Sequence, residues 1–214
     1  MTNIVDPLVG QIADRVRAER GRRRWTLAQL ADASGVSQAM ISRIERGESS
    51  PTAVVLGKLS AAFQLSVASL LALAEGAPEE GLLSGAMPVG SGAPAGFDSA
   101  AGAGVRRGKD VAEWRDPGTG YRRRQISGPS FPAEVAEIRL PAGAEVPYPA
   151  AAFAFIRQIV WVLDGRLTFH EGDQVHELEP GDTIELGEPA DRVFANTTDL
   201  ECRYAVILAR GARP

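Results

Sequence analysis

The chain has 214 residues, 27 acidic and 23 basic side chains and a formal net charge of −4, with 44% apolar and 23% charged residues. That length accommodates one or two domains, the composition is that of an ordinary globular protein, and no apolar run reaches the ~18 residues of a membrane helix. The single cysteine, Cys202, excludes an internal disulfide framework and a cysteine-rich zinc site. No basic stretch followed by an apolar core opens the sequence, so the cytosol is the expected compartment.

The acidic average hides an uneven distribution. Residues 1–75 carry a net +2, residues 76–130 a net +1 and residues 131–214 a net −7. Arg15, Arg17, Arg20, Arg22, Arg23 and Arg24 fall within ten positions. Such asymmetry points to nucleic acid, the competing reading being a solvated arginine-rich helix end.

In chain order, residues 8–74 predict helices throughout. Ile12 and Val16, then Leu27, Leu30 and Ala31, then Ile41 and Ile44, then Leu56, Leu59 and Phe63 recur at helical spacing. Thr26 and Gln29 form a capping box. Ser50 and Pro51 are expected as N-cap and first residue of the fourth helix, Gly35 and Gly47 as helix ends, and a short fifth helix from Ser66 to about Ala74. Residues 76–104, rich in Gly, Ala, Pro and Ser, predict a flexible linker.

From Val105 the pattern turns to strands, near 121–127, 134–140, 159–163, 166–170, 174–178, 183–186, 192–196 and 202–209. Asp164-Gly165 and Glu171-Gly172-Asp173 are turn signals. Many short strands at this spacing suggest an antiparallel sandwich or barrel. Domains are therefore expected at 1–75, 76–104 (linker) and 105–214.

Residues 26–47 have the form of a helix-turn-helix: two short helices, a glycine at the turn, and a second helix presenting Ser37, Gln38, Ala39, Ser42 and Arg43 outward. Gln suits adenine, Arg suits guanine, and Ala suits a thymine methyl. With Arg20, residues 27–31, Gly35, Val36-Ser37, the run Ile41 to Gly47 and Ser50-Pro51, residues 9–74 resemble the five-helix lambda-repressor-like head of the Xre family of bacterial regulators. The resemblance implies a double-stranded DNA operator as partner. It assigns base-edge contacts to Gln38, Ala39, Ser42 and Arg43 and backbone contacts to Thr26, Gln29 and Arg46, with Ser37 at the start of the recognition helix. Thr26 and Gln29 are also claimed by the capping box. It further implies a structural pair between Glu45 and Arg20.

Residues 131–210 resemble the cupin, a small jelly-roll-like β-barrel, at residues 140–143, 160–165, 178–183 and Asn196. The fold class expected is thus an all-α N-terminal domain plus an all-β, cupin-like C-terminal barrel. A metal-binding cupin needs two His and one Glu in its first motif and one His in its second. The corresponding positions here are Ala151 to Ala154, Gln158 and Arg192, so neither metal nor cofactor is expected. His170 and His176 flank a hairpin turn and read as strand-end residues, with metal ligation as the alternative. The expected effector pocket comprises Gln158, Arg192, Phe194 and Phe153, with Phe155 and Tyr204 as further apolar wall, and suits an anion held by Arg192. The competing reading is a filled core in which Arg192 pairs with Asp191 or Glu185. Strand alternation sends Trp161 to the opposite face from Gln158, toward a dimer interface. The expectation overall is a cytoplasmic, non-enzymatic, homodimeric regulator responding to a small molecule. A metal-dependent cupin enzyme carrying a DNA-binding domain and a DNA-binding dimer without an effector are the alternatives.

Overall fold

The structure, a computed structural model, describes residues 7–67, 70–71, 105–128, 131, 133–154 and 156–209. The expected linker at 76–104 and the wall residue Phe155 lie outside the described residues. None of the described helices is long and apolar enough to cross a membrane.

Among the described residues the helices α1 (Pro7–Arg22), α2 (Leu27–Ser34), α3 (Gln38–Glu45) and α4 (Ala53–Ala62) come first. Ile12, Val16, Leu30, Ile41, Ile44, Leu56, Leu59 and Phe63 form their shared core, each essentially buried. Of the expected fifth helix, Val67, Leu70 and Leu71 are helical and the remainder lies outside the described residues. Neither α1 nor α4 is closed by a left-handed glycine. Arg24 and Gln64 instead take the left-handed conformation, each at φ 55°. The next amides, of Trp25 and Leu65, reach back to the carbonyls of Arg20 and Ser60 and close each terminus. The start of α4 differs from expectation. Thr52, not Ser50, is the N-cap, its hydroxyl accepting from the Val55 amide, and the neighbouring Ala53 amide donates to a carboxylate from the β region, Asp116 Oδ1, at 2.8 Å.

Ten strands follow among the described residues: β1 (Glu113–Arg115), β2 (Arg122–Gln125), β3 (Ala133–Leu140), β4 (Glu145–Tyr148), β5 (Arg157–Asp164), β6 (Leu167–Glu171), β7 (Gln174–Leu178), β8 (Thr183–Glu185), β9 (Arg192–Ala195) and β10 (Cys202–Ala209). The closed cupin-like barrel does not form. The strands divide into two separate sheets, ordered β1-β2-β3-β10-β5-β8 and β4-β9-β6-β7. The edges explain why: β1 and β8 have three residues each, and Pro147 in β4 lacks the amide needed to extend the ladder outward. β1 and β4 are also the two strands the sequence pattern missed.

The two sheets face each other over a common core. Registered neighbours Trp114, Arg123, Ile138, Tyr204 and Val162 run across the inner face of the larger sheet. Val146, Phe194, Phe169 and His176 run across the smaller. Phe194 and Tyr204 stack nearly parallel, centroids 5.7 Å apart, and join the layers. Gly165 turns between β5 and β6 at φ +74°, where a Cβ would lie 2.7 Å from the Glu201 carbonyl oxygen, so only glycine fits. Asn196 ties the loop before β10, donating to the carbonyls of Leu140, Pro141 and Leu200.

The helical unit packs directly on the β unit. α4 contacts β4 and the short turn Ala150–Phe153. A Cβ at Gly57 would fall 2.7 Å from Tyr148 Cδ1, so the glycine permits this close approach.

Candidate functional site

The outward surface of α2 and α3 is built on a rigid base. Arg20 of α1 and Glu45 of α3 make the expected bidentate pair, Nε–Oε1 at 2.7 Å and Nη2–Oε2 at 2.8 Å. This holds α3 by its C-terminal turn against α1, and the same carboxylate keeps the Arg20 pKa above its ordinary value. The Thr26 capping box is complete: the Gln29 amide donates to Thr26 Oγ1 at 3.2 Å and the Thr26 amide to Gln29 Oε1 at 2.8 Å. Gly35 ends α2 at φ +65°, and Ser37 caps α3 by accepting from the Met40 amide.

On this base Gln38, Ala39 and Arg43 are exposed. Among the described residues the side chains of Gln38 and Arg43 make no hydrogen bond and are available to a ligand. Ser42 is half-buried and accepts from Arg46 Nη1. Arg46 also forks onto Glu48, Nε–Oε1 at 2.6 Å and Nη2–Oε2 at 2.8 Å, which holds the Glu48 carboxyl below its ordinary range. Ser37, Gln38, Ala39, Ser42 and Arg43 thus lie along α3, flanked at its C-terminus by Arg46 and across the turn by Thr26 and Gln29.

The arginine cluster is organised differently. Glu19, 1% exposed, receives Arg15, Arg22 and Arg23. Arg23 also donates to the Phe63 carbonyl, and Arg17 to the carbonyl of Glu45. Arg15, Arg20 and Arg23 are thereby turned into the helical unit, while Arg17, Arg22 and Arg24 remain exposed.

The β unit contains a pocket of about 60 Å³ between the sheets. Gln158, Phe194, Phe153 and Tyr204 line it as expected, and Arg192 does not. Arg192, 1% exposed, is held by Glu171 through Nε at 2.9 Å and through Nη2, which also reaches the carbonyls of Gly187 and Glu188. Its guanidinium carbon stands 4.5 Å over the Phe153 ring. It is a structural ion pair, with Glu171 as the partner that the sequence did not reveal. The cation lining the pocket is Arg123, joined by Tyr121 and Tyr148 from the β unit and by Ser66 and Val67 from the helical unit. The run Arg122-Arg123-Arg124 held the signal, since strand alternation must send at least one of three consecutive arginines inward. Burial pushes the Tyr121, Tyr148 and Tyr204 phenols above their ordinary pKa, so they present neutral hydroxyls.

A divalent metal does not suit this pocket. Its polar lining is amide, hydroxyl and guanidinium, with no imidazole or carboxylate, and among the described residues no three His, Cys, Asp or Glu cluster to hold an ion. Trp161, 45% exposed, lies on the outer face of β5 beside Ile159.

Comparison with known proteins adds to this geometry. Residues 16–70 match the helix-turn-helix family HTH_3. The HTH-type transcriptional regulator SutR of Escherichia coli (strain K12) is 42% identical over 52 residues, 24% of this chain and 29% of that protein. The competence pilus inhibition repressor of Acinetobacter baylyi (strain ATCC 33305 / BD413 / ADP1) is 40% identical over 72 residues, 34% of this chain and 66% of that protein. The chain thus spans under a third of one curated relative and just under two thirds of the other. The crystal structure of an HTH_3 family transcriptional regulator from Vibrio cholerae shares the fold at a TM-score of 0.66 and 22% identity, over 95% of this chain and 98% of that one. Residues 16–70 therefore constitute a DNA-binding helix-turn-helix module of the HTH_3 type.

Proposed function

We propose that this chain is a sequence-specific transcriptional regulator, not an enzyme, in which the β unit pairs two copies and takes a small-molecule effector. The observation that carries the reading is α3 itself. Gln38, Ala39 and Arg43 are exposed on one helix, two with side chains free of intramolecular hydrogen bonds, and the helix is clamped by the Arg20–Glu45 fork. Rigid presentation lowers the ordering cost of base contacts. Two such helices read adjacent half-sites about 34 Å apart, which calls for a dimer. Ile159 and Trp161, adjacent on the outer face of β5 and 40% and 45% exposed, are the apolar surface proposed to pair two copies. The pocket is the proposed effector site.

Selection of bound sequences from a random library, followed by titration of the selected site, tests this. Arg43→Ala should weaken the selected site by about 1–3 kcal/mol and relax preference at one base pair, whereas Arg46→Ala should weaken all DNA alike and flatten the salt dependence. Equal losses for Arg43→Ala on selected and random DNA would remove its base-reading role.

A further inference from the structure

We propose that the pocket between the sheets binds a small monocarboxylate on Arg123, and that the helical unit senses occupancy directly through Tyr148, Ser66 and Val67. This rests on the reading of the β unit as a sensor and gives that sensor a ligand class and a route.

Charge is the first observation. Arg123 is 6% exposed, and its guanidinium donates to a neutral partner, Gln125 Oε1, at 3.1 Å. Among the described residues it has no carboxylate within ion-pair distance. Arg192, equally buried on the facing sheet, shows the contrast, because Glu171 neutralises it. The pocket therefore holds a cation and no anion, with neutral phenols beside it and Phe194 and Ile138 as apolar wall. A desolvated cation without a counter-charge is costly. A monoanion with an apolar body corrects the imbalance, and a carboxylate matches the planar donor fork of arginine. Sulfate or phosphate would bring excess negative charge and no surface for the apolar wall.

Size is the second. A water requires about 10–15 Å³ of such space, so 60 Å³ accommodates about four to six non-hydrogen atoms, the size of propionate or butyrate.

The route is the third. Ser66 and Val67 belong to the helical unit and line the same pocket. Tyr148 lines it too, and its ring packs on Gly57 of α4. A ligand against Tyr148 therefore touches the element on which the DNA-binding unit sits. No signal need pass through residues 76–104.

The test uses the full chain and a fluorescent duplex carrying its selected site. Acetate, propionate and butyrate are titrated against acetamide, propionamide, butyramide, the corresponding amines and inorganic sulfate, by calorimetry and thermal unfolding. One carboxylate is expected to bind at one per chain, about tenfold or more tighter than its amide, and to shift DNA affinity. Arg123→Gln should abolish the preference for carboxylate over amide while leaving the ligand-free protein at least as heat-stable as wild type, because a buried charge that lacks a counter-charge has been removed. Arg123→Lys should retain part of the preference. Gly57→Ala should keep carboxylate binding but change or abolish its effect on DNA affinity. If an amide or amine binds as well and shifts DNA affinity, the carboxylate assignment is overturned and the sensor reading stands. If a carboxylate binds without altering DNA affinity, the route is overturned. If no probe of any charge changes stability or DNA affinity while the selected site is still bound, the sensor reading falls together with the proposal.

Discussion

Replacing Glu19 tests whether the arginine cluster is an internal scaffold. Its carboxylate is 1% exposed and receives Arg15, itself 8% exposed, and Arg23, 27% exposed, with Arg22 at 3.5 Å and 42% exposed. Glu19→Ala would take this buried carboxylate from Arg15 and Arg23, leaving Arg23 its bond to the Phe63 carbonyl. Removing one partner of a buried pair costs about 3–5 kcal/mol, and the half-exposed Arg22 contact adds at most a few tenths. A helical unit of this size has a total stability of about 3–10 kcal/mol at ~0.05–0.15 kcal/mol per residue. The loss is therefore comparable to the whole. At ~4–8 °C per kcal/mol, Glu19→Ala should lower the helical melting transition by about 12 °C or more. Glu19→Gln, which keeps shape and one acceptor, should fall between it and wild type. Arg22→Ala should remain within about 0.5 kcal/mol. Urea and thermal unfolding followed by helical circular dichroism measures all three. If Glu19→Gln unfolds within about 0.5 kcal/mol of wild type, the internal ion-pair account of this cluster is refuted.

Four further outcomes are expected. Glu48→Gln releases Arg46 from its carboxylate and should raise affinity for all DNA and steepen the salt dependence, as filter binding across salt concentrations would show; unchanged binding would mean that Arg46 does not face the phosphates. Gln64→Gly relieves a left-handed non-glycine residue at φ 55° and should stabilise the helical unit by up to about 1 kcal/mol in urea titration. Cys202, fully buried with its thiol pushed up to about 12 by burial and by Asp164 and Glu201, should resist alkylation at neutral pH in the folded protein and react once unfolded; rapid native labelling would contradict its burial. Asp116→Asn weakens a charge-assisted cap on the Ala53 amide and should cost about 1 kcal/mol and speed amide exchange at the start of α4.

The helical unit was legible because its signals are local. Thr26 with Gln29, Gly35, and the apolar spacing of Leu30, Ile41 and Ile44 each act within one or two turns, and the Arg20–Glu45 fork came with the family resemblance. The departures are long-range. The N-cap of α4 shifted to Thr52 and its first amide was met by Asp116, 63 residues away in sequence. Arg192 left its expected place in the pocket, and Arg123, for which the sequence suggested no role, lines it instead, because pairing of Arg192 with Glu171 depends on β6 lying beside β9, a register that no local pattern encodes. The closed barrel failed for a similar reason, since closure is decided at edges, and the edge strands β1 and β4, three and four residues long, are too short to carry a periodic signal.

The arginines bear most directly on how the module recognises DNA. Six in ten positions read as an electrostatic footprint, yet Arg15, Arg22 and Arg23 converge on Glu19 and Arg20 on Glu45. Glu45 offsets the charge of Arg20, and Glu19 that of one of its three arginines, which reduces the field a phosphate backbone meets. Arg46, the cation best placed beside α3, is paired with Glu48 as well. These pairings lower the electrostatic component common to all DNA sequences without removing it. On the proposed reading, discrimination depends on the few contacts along Gln38, Ala39 and Arg43 and affinity on presenting two such helices at once, so whatever governs the placement of the helical unit on the β unit would have direct leverage over binding.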